Sequence, residues 1–180
     1  MKYTAYLGLG SNLASPAGSS EETIRAAIRA LALLGEVIAQ SSFYRTSPVG
    51  YREQPSFINA AVCLETDLEP ELLLNELLKI EREFGRDRRS AIPKGPRTLD
   101  LDILLVLKNS GDGHKQEPVL RQSSTLRLPH PEIANRRFVL EPLAELAPEV
   151  RHPTMGKTVR QLLGELPSTG ANAVEEVTRL

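Results

Sequence analysis

The sequence predicts an α+β fold in which an antiparallel sheet carries helices on one face. Short runs of alternating apolar residues are typical of strands, and two longer runs with apolar residues every three or four positions are typical of helices. The chain has 180 residues, 41% hydrophobic and 25% charged, which is ordinary for one globular domain. A domain of this size can fold without disulfides or a structural metal.

A strand and a helix are predicted at the N-terminus. Residues 3–9 alternate and end at the turn residues Gly10-Ser11-Asn12. Ser19 and Glu22 have the spacing of a capping box, and apolar residues then recur at helical spacing up to Gly35. We therefore expect a helix over residues 20–34.

Three further elements complete the predicted sheet. Residues 37–44 and 57–66 read as strands separated by a loop rich in proline and glycine, so we expect an antiparallel hairpin with a long connection. Pro70 suits the first turn of a helix that ends at Gly85, and residues 98–107 alternate again. The order β-α-β-β-α-β is that of a ferredoxin-like fold, with both helices on one face of an antiparallel sheet.

The remaining chain is expected to add short helices to the same domain. Residues 108–118 are polar and predict a loop, whereas segments 131–146 and 157–166 predict short helices. We expect residues 1–166 to form one domain and residues 167–180 to form a C-terminal tail that frays.

Composition and motifs exclude several classes of function. The net charge of −1 gives no general basic field for nucleic acid, and no run approaches the roughly 18 apolar residues of a membrane span. The N-terminus does not resemble a secretory signal, so we expect a cytoplasmic protein. Cys63 lies in an apolar run and is expected in the core. Gly8-Leu9-Gly10 lacks the third glycine of the dinucleotide fingerprint, and no P-loop motif occurs.

Two carboxylates in the last predicted strand form the first candidate site. Asp100 and Asp102 lie two residues apart and should share one face of the strand. The opposite, apolar face is expected to hold Leu99, Leu101, Ile103 and Leu105. Carboxylates about 7 Å apart repel each other, and magnesium, which prefers a few carboxylates with room for phosphate, would reverse that repulsion. The alternative is a pair of solvated aspartates on an exposed face.

A basic loop precedes this acidic pair. Five cations stand there against Asp87, namely Arg86, Arg88, Arg89, Lys94 and Arg97. Guanidinium groups bind phosphate oxygens bidentately, and phosphoryl transfer depends on such charge stabilisation. A solvated basic loop without a ligand is the alternative.

A site for a flat ring is predicted on the same face. Phe57 and Asn59 lie opposite the core face of their strand, so a heterocycle could stack on the ring and bond to the amide. Phe138 and His130 could complete this site. The alternatives are ordinary sheet surface for the first two residues and a turn for His130.

Five segments, in order and at workable spacing, resemble the 6-hydroxymethyl-7,8-dihydropterin pyrophosphokinase family. They are YLGLGSNL at 6–13, SSFYRTSPVG at 41–50, QPSFINAAVCLET at 54–66, KGPRTLDLDILL at 94–105 and LPHPEIANRRFVLEPLAELAPE at 128–149. The resemblance implies a ferredoxin-like fold, usually in a monomer. It also implies transfer of the β,γ-pyrophosphoryl group of ATP to the hydroxymethyl group of a reduced pterin in folate biosynthesis, with release of AMP.

The resemblance further implies roles for particular residues. Two magnesium ions would be held by Asp100 and Asp102, with Arg86 and Arg97 assisting catalysis. The pterin would be bound by Thr46, Ser47, Val49, Phe57, Asn59 and Phe138. ATP would be contacted by Glu81, Arg88, Arg97, Ile103, Arg127, His130 and Arg136. The chain departs from the family pattern at Lys94, where some relatives carry tryptophan, and at Thr125, where they carry an arginine that Arg127 could replace.

Two other classes of protein remain open. A ferredoxin-like regulatory module would bind a small ligand without turnover and would release no AMP. An RNA-binding sheet would need several exposed aromatic residues on a basic face, whereas aromatic residues make up 4% of the chain.

Overall fold

The computed structural model describes residues 2–49, 53–88, 93–109, 116–167 and 177–180. In chain order its elements are β1 Tyr3–Ser11, α1 Ser20–Leu31, β2 Glu36–Gln40, β3 Tyr44–Thr46, β4 Phe57–Thr66, α2 Pro70–Glu83, β5 Asp100–Asn109, β6 Gln116–Pro118, β7 Arg121–Gln122, β8 Arg127–Leu128, a 3-10 turn Ile133–Asn135, α3 Arg137–Leu146, α4 Val159–Glu165 and β9 Val177–Arg179. Within these residues, no helix combines the length and apolar character that a membrane crossing requires.

An antiparallel seven-stranded sheet forms the centre of the fold. The strands follow the order β6-β5-β1-β4-β3-β9, and β2 also pairs with β4. The single strand predicted over residues 37–44 is divided into β2 and β3, and both pair antiparallel with β4 as the predicted hairpin requires. The predicted last strand of this unit begins at Asp100 rather than at residue 98.

The start signals of the first two helices are confirmed. Ser19 caps α1 in a capping box with Glu22, and Pro70 occupies the first turn of α2. α1 ends at Leu31, three residues before the predicted end, because the chain then tightens into i→i−3 hydrogen bonds. Gly85, with φ of 83°, provides the predicted stop after α2.

The first core lies between the sheet and the helices α1 and α2. Alternate residues of β1, β4 and β5 point into it, as the period-2 pattern predicts. Its fully buried leucines and isoleucines include Leu7, Ile24, Leu31, Leu64, Leu73, Leu77 and Leu101.

A second core lies on the opposite face of the sheet, where α3 and α4 pack. Leu140, Leu143 and Leu162 contact a cluster that includes Tyr6 and the predicted core residue Cys63. The sequence predicted these helices but not the face that they cover. Since an RNA-binding sheet would use this face, its cover of helices argues against that alternative.

The prediction that Leu105 lies on the same face as Leu101 and Ile103 is wrong. The pairing of β1 with β5 shifts between Tyr6 and Leu7, so that Leu104 is an extra residue opposite them. This β-bulge reverses the alternation, and Leu104 and Leu105 both pack in the second core whereas Val106 returns to the first. Leu101 and Ile103 precede the bulge and lie in the first core as predicted.

The end of the chain joins the sheet. Val177–Arg179 forms β9 and pairs with β3, whereas a frayed tail was expected, and residues 168–176 lie outside the described residues. Glu145 of α3 holds this edge, because its carboxylate accepts hydrogen bonds from Ser42, Tyr44 and Arg179 at 2.9–3.1 Å. Burial tends to raise the pKa of Glu145, but the hydrogen bonds from Tyr44 and Ser42 and the charge of Arg179 outweigh it and lower the pKa.

Replacing Glu145 by glutamine is expected to lower the free energy of unfolding by about 1 kcal/mol at pH 7. A carboxylate with a lowered pKa stabilises the fold above its unfolded pKa, and this contribution disappears as the pH falls through the folded pKa. The difference between wild type and Glu145→Gln in urea unfolding should therefore shrink towards zero in acid. Glu149→Gln, at an exposed ion pair, is the control, and a difference for Glu145→Gln that is independent of pH would contradict the assignment.

Candidate active site

The predicted site residues meet in one cleft at the end of the sheet where α3 begins. A cavity of about 320 Å³ is lined by all six residues predicted to bind a ring, Thr46, Ser47, Val49, Phe57, Asn59 and Phe138. A smaller cavity of about 30 Å³ adjoins it and is lined by Asp100 and Asp102. The two cavities share Asn59, Arg97, Arg136 and Phe138.

Two glycines of β1 keep the floor of this cleft open. Gly10 pairs with Asn59 on one side and Asp100 on the other, and Gly8 pairs with Asp102. A Cβ on Gly10 would lie 3.0 Å from Oδ1 of Asn59, which is too close for an unstrained contact. Sequence reasoning treated these glycines only as an incomplete dinucleotide motif, although their period-2 spacing in β1 already placed them on the face of the aspartates.

The ring-binding cavity has a fixed amide between aromatic side chains. Asn59 donates from Nδ2 to Oγ1 of the buried Thr46 at 2.7 Å, which orients its carboxamide. The guanidinium of Arg97 lies 4.7 Å from the ring centre of Phe57, and that of Arg136 lies 5.7 Å from the ring centre of Phe138. Both are cation–π contacts, so each aromatic ring is adjacent to a cation.

Three arginines converge on Asp100. Nε of Arg97 lies 3.0 Å from its carboxylate, Nη2 of Arg86 lies at 3.4 Å and Nη2 of Arg88 at 4.0 Å. Nε of Arg86 and Nε of Arg97 are nevertheless buried and have no hydrogen-bond partner among the described residues. Nε of Arg97 lies close to the carboxylate of Asp100, but its N–H is not aligned with it as a hydrogen bond requires. Buried donors of this kind indicate a place for an anion, such as a phosphate oxygen.

The negative charge of Asp102, at the floor of the cleft, is poorly compensated by the surrounding cations. Burial raises its pKa and the negative charge of Asp100 raises it further, whereas His130, Arg97 and Arg136 lower it. The described residues contain no group of three or more potential metal ligands among His, Cys, Asp and Glu. Two adjacent carboxylates with an open floor therefore fit magnesium, which completes its coordination with water and substrate phosphates.

Glu81 lies below the cleft. Its side chain is 1% exposed, its Oε1 accepts from the backbone N–H of Leu101, and Arg88 donates to both carboxylate oxygens at 2.7–2.9 Å. Burial raises the pKa of Glu81, and the bonds to Leu101 and Arg88 oppose that effect. The residue predicted to contact ATP is thus an anchor for Arg88 and for the start of β5 in this structure.

The other residues predicted to contact ATP or phosphate lie in different surroundings. The ring of His130 accepts a hydrogen bond from the backbone of Glu132 and lies close enough to Asp102 to lower its pKa. Ile103 is buried in the first core, so only its backbone could contact ATP. Arg127 is exposed on β8 and, among the described residues, neither cleft cavity includes it. Arg89 lies outside the described residues.

Asn12 connects the loops around the cleft and was missed as a functional residue. Its Oδ1 accepts from the backbone of Arg97 at 2.8 Å, and its Nδ2 donates to Gln54 and to the carbonyl of Pro55 at 3.0 Å. Gln54 in turn donates to the carbonyl of Lys94. The sequence indicated only a turn at residues 10–12, because these contacts come from segments more than 40 residues away.

Replacing Asn12 by alanine is expected to lower the free energy of unfolding by about 2 kcal/mol, because backbone groups that it satisfies are left without partners. Urea unfolding measures the effect. Asn75→Ala, on an exposed position of α2, should change stability by less than about 0.5 kcal/mol. Equal effects of the two substitutions would contradict the connecting role of Asn12.

Comparisons with known proteins agree with this geometry. Residues 6–148 match the family model described as 7,8-dihydro-6-hydroxymethylpterin-pyrophosphokinase. The 2-amino-4-hydroxy-6-hydroxymethyldihydropteridine pyrophosphokinases of Haemophilus influenzae and Pseudomonas aeruginosa are each 41% identical; the first match covers 83% of this chain and 85% of the relative, the second 92% and 93%. The Folic acid synthesis protein fol1 of Schizosaccharomyces pombe is 37% identical over 92% of this chain, which spans 21% of that protein.

Among solved structures, the Plasmodium falciparum HPPK-DHPS A437G with STZ-DHP has a similar fold. The TM-score is 0.66 at 18% identity, over 92% of this chain and 45% of that chain. This chain therefore spans less than half of that structure, and the likeness concerns the fold alone. The family match, the relatives and the residues of the cleft agree: the chain belongs to the 7,8-dihydro-6-hydroxymethylpterin-pyrophosphokinase family.

Proposed function

We propose that this chain transfers the β,γ-pyrophosphoryl group of ATP to the hydroxymethyl group of 6-hydroxymethyl-7,8-dihydropterin in folate biosynthesis, with release of AMP. One observation carries the proposal: the ring-binding cavity and the cavity of the two aspartates adjoin each other and have four lining residues in common. A reaction between a heterocyclic alcohol and a triphosphate needs both halves side by side. Family membership and the names of the relatives support the same reaction.

The ring-binding cavity suits the pterin. Phe57 and Phe138 offer aromatic faces for a flat ring, and Asn59 offers a carboxamide whose orientation Thr46 fixes. Ser47 and Val49 line the same cavity and would contact the edge of the ring. A ring held there would direct its hydroxymethyl group towards the adjoining cavity of the aspartates.

The adjoining cavity suits the triphosphate. Asp100 and Asp102 would hold magnesium, two ions by the family resemblance, which when bound neutralises phosphate charge and aligns the β-phosphorus. Arg86 and Arg97 carry buried donors that have no partner within the described part of the chain, and phosphate oxygens would satisfy them. The oxygen of the pterin hydroxyl attacks the β-phosphorus and its proton passes to solvent, while the bond from that phosphorus to the α-phosphate oxygen breaks and AMP leaves with that oxygen.

ATP binding would redistribute the arginines. Arg88 is bound to Glu81 and lies near Asp100, so a nucleotide that brings both phosphates and magnesium competes with both of these contacts. His130 and Arg136 lie beside Asp102 and would face the nucleotide, and exposed Arg127 would approach it only at the edge of the cleft. In this arrangement the protein acts mainly by orienting and neutralising its substrates.

We also propose a ferredoxin-like core, since β5, β1, β4 and the β2/β3 pair follow the antiparallel order expected for β-α-β-β-α-β. The proposal extends to a single domain, predicted over residues 1–166 and completed by β9, and to a cytoplasmic monomer, as composition and resemblance imply.

A direct assay separates this function from a regulatory module that only binds its ligand. Purified protein with ATP, magnesium and 6-hydroxymethyl-7,8-dihydropterin should release AMP in an amount equal to the pterin diphosphate formed. Omission of either the pterin or magnesium should reduce AMP to background. Binding of the pterin without AMP release would support the regulatory module.

Replacing Asp102 by asparagine is expected to reduce the rate of AMP formation by about 100-fold or more, because an electrostatic group of the phosphate site is lost. The same substitution should leave the melting temperature equal or higher, since the fold raises the pKa of Asp102 and so disfavours its charged form. Asp67→Asn, just beyond the opposite end of β4, should retain activity. An active Asp102→Asn protein would contradict the magnesium assignment.

Replacing Gly10 by alanine is expected to raise KM for the pterin by about tenfold, because the added methyl group displaces Asn59. Gly164→Ala, at an exposed position of α4, is the control, since nothing lies within 4 Å of its added methyl group. Steady-state kinetics should show a change of less than about threefold for the control. Equal effects in both variants would argue against a role of Gly10 in shaping the site.

A further inference from the structure

One wall of the ring-binding cavity comes from a part of the chain that the family match does not include. Leu166 and Pro167 line the same cavity as Phe57 and Phe138. The family model matches residues 6–148, so this wall lies beyond it. The wall is called the α4 wall below, because it directly follows α4.

The α4 wall has backbone groups that need partners. Leu166 leaves the helical conformation after Glu165, and Pro167 has no N–H, so these two residues cannot continue the hydrogen bonds of α4. Both wall carbonyls accept a hydrogen bond from Nη2 of Arg137, at 3.1 Å for Leu166 and 3.0 Å for Pro167. A cation from α3 therefore holds the two residues that follow α4.

Arg137 is itself held in place by its own helix. Its Nη1 donates to Glu141 one turn later at 2.6 Å, and its side chain is 14% exposed. Arg137 also lines the ring-binding cavity, but its charge is directed to one carboxylate and two carbonyl groups of the protein. By contrast, the neighbouring Arg97 and Arg136 lie against the aromatic rings of the cavity.

The position of Arg137 links the wall to the ring that faces the substrate. Arg137 is the first residue of α3, and Phe138, the predicted stacking residue, follows it directly. The side chain that holds the wall and the ring that stacks on the pterin therefore start from adjacent backbone positions. A movement of the wall would change the width of the cavity beside Phe138.

We propose that Arg137 is a positioning residue that fixes the α4 wall against the ring-binding cavity and thereby sets the affinity for the pterin. The inference rests on the proposed function. It assigns Arg137 no contact with ATP, because Asp100, Asp102 and Arg86 lie in or beside the adjoining cavity. Loss of Arg137 should therefore affect the pterin and leave the nucleotide unaffected.

Steady-state kinetics on the full chain, with both substrates varied, test the inference. Arg137→Met should raise KM for the pterin by about tenfold while kcat and KM for ATP stay within about twofold, since it removes the charged hydrogen bonds to the wall and to Glu141 and none to the adjoining cavity. Arg137→Lys, which can still donate to a carbonyl group, should recover part of the loss. Arg160→Met is the matched control, because Arg160 lies on α4 itself in an exposed pair with Glu149.

Two measurements keep the test decisive. Calorimetric titration of 6-hydroxymethyl-7,8-dihydropterin, with magnesium and a non-reacting ATP analogue present, reports affinity without turnover. If Arg137→Met does not fold, Glu141→Gln loosens Arg137 without removing it and should weaken pterin binding by about threefold.

The outcomes distinguish the inference from the proposed function. If the wild type releases no AMP, the proposed function is overturned. The calorimetric titration of the pterin then tests by itself whether Arg137 and the α4 wall set pterin affinity. The inference is overturned if the Arg137 and Glu141 variants bind the pterin as tightly as Arg160→Met does. This holds even if the Arg137 and Glu141 variants are less stable. A loss of kcat and of ATP affinity together with pterin affinity also overturns it, because that pattern indicates general damage to the fold.

Discussion

The cleft depends on charges that the protein balances only in part. Asp100 attracts three arginines, whereas Asp102, two residues away on the same face, keeps a raised pKa. Two of those arginines also keep buried N–H groups to which no described residue offers an acceptor. A ligand that carries both magnesium and phosphates supplies the missing cation and the missing acceptors together. The unbound protein therefore holds a charge pattern that is complementary to a nucleotide.

The two faces of the sheet explain where this pattern can exist. One face is covered by α1 and α2 and is mainly apolar. The other face is divided, because α3 and α4 cover the half around Tyr6 and Leu105 and leave the half around Asp100 and Asp102 open. The bulge at Leu104 marks the boundary, since it turns Leu105 towards the second core. A continuous alternation in β5 would have directed Leu105 into the first core instead.

Local patterns in the sequence predicted those features that depend on neighbours along the chain. The period of two placed Asp100 and Asp102 opposite the first core, and the capping box located the start of α1. The bulge was not predictable in this way, because one inserted residue leaves composition and propensity unchanged. The pairing of β9 with β3 and the contacts of Asn12 join segments distant along the chain, so no local pattern encodes them.

Glu81 shows the same limit at a single residue. Helical spacing identifies the side of α2 on which it lies, but its burial follows from Arg88 and from the backbone of β5. A contact with ATP was inferred for this carboxylate by resemblance, and in this structure its oxygens are already engaged by protein donors. Whether a residue can contact a ligand therefore depends on its three-dimensional contacts with the rest of the protein.

The α4 wall has a consequence for selective chemistry at this cavity. Compounds built only to fill the space between Phe57 and Phe138 would use surfaces that lie within the family match, whereas an added substituent directed at Leu166 and Pro167 would reach a surface outside it. Since the carbonyls of that surface already accept from Arg137, such a substituent should be apolar rather than hydrogen-bonding. Inhibitors extended in this direction would use the surface that Arg137 holds beside the ring-binding cavity.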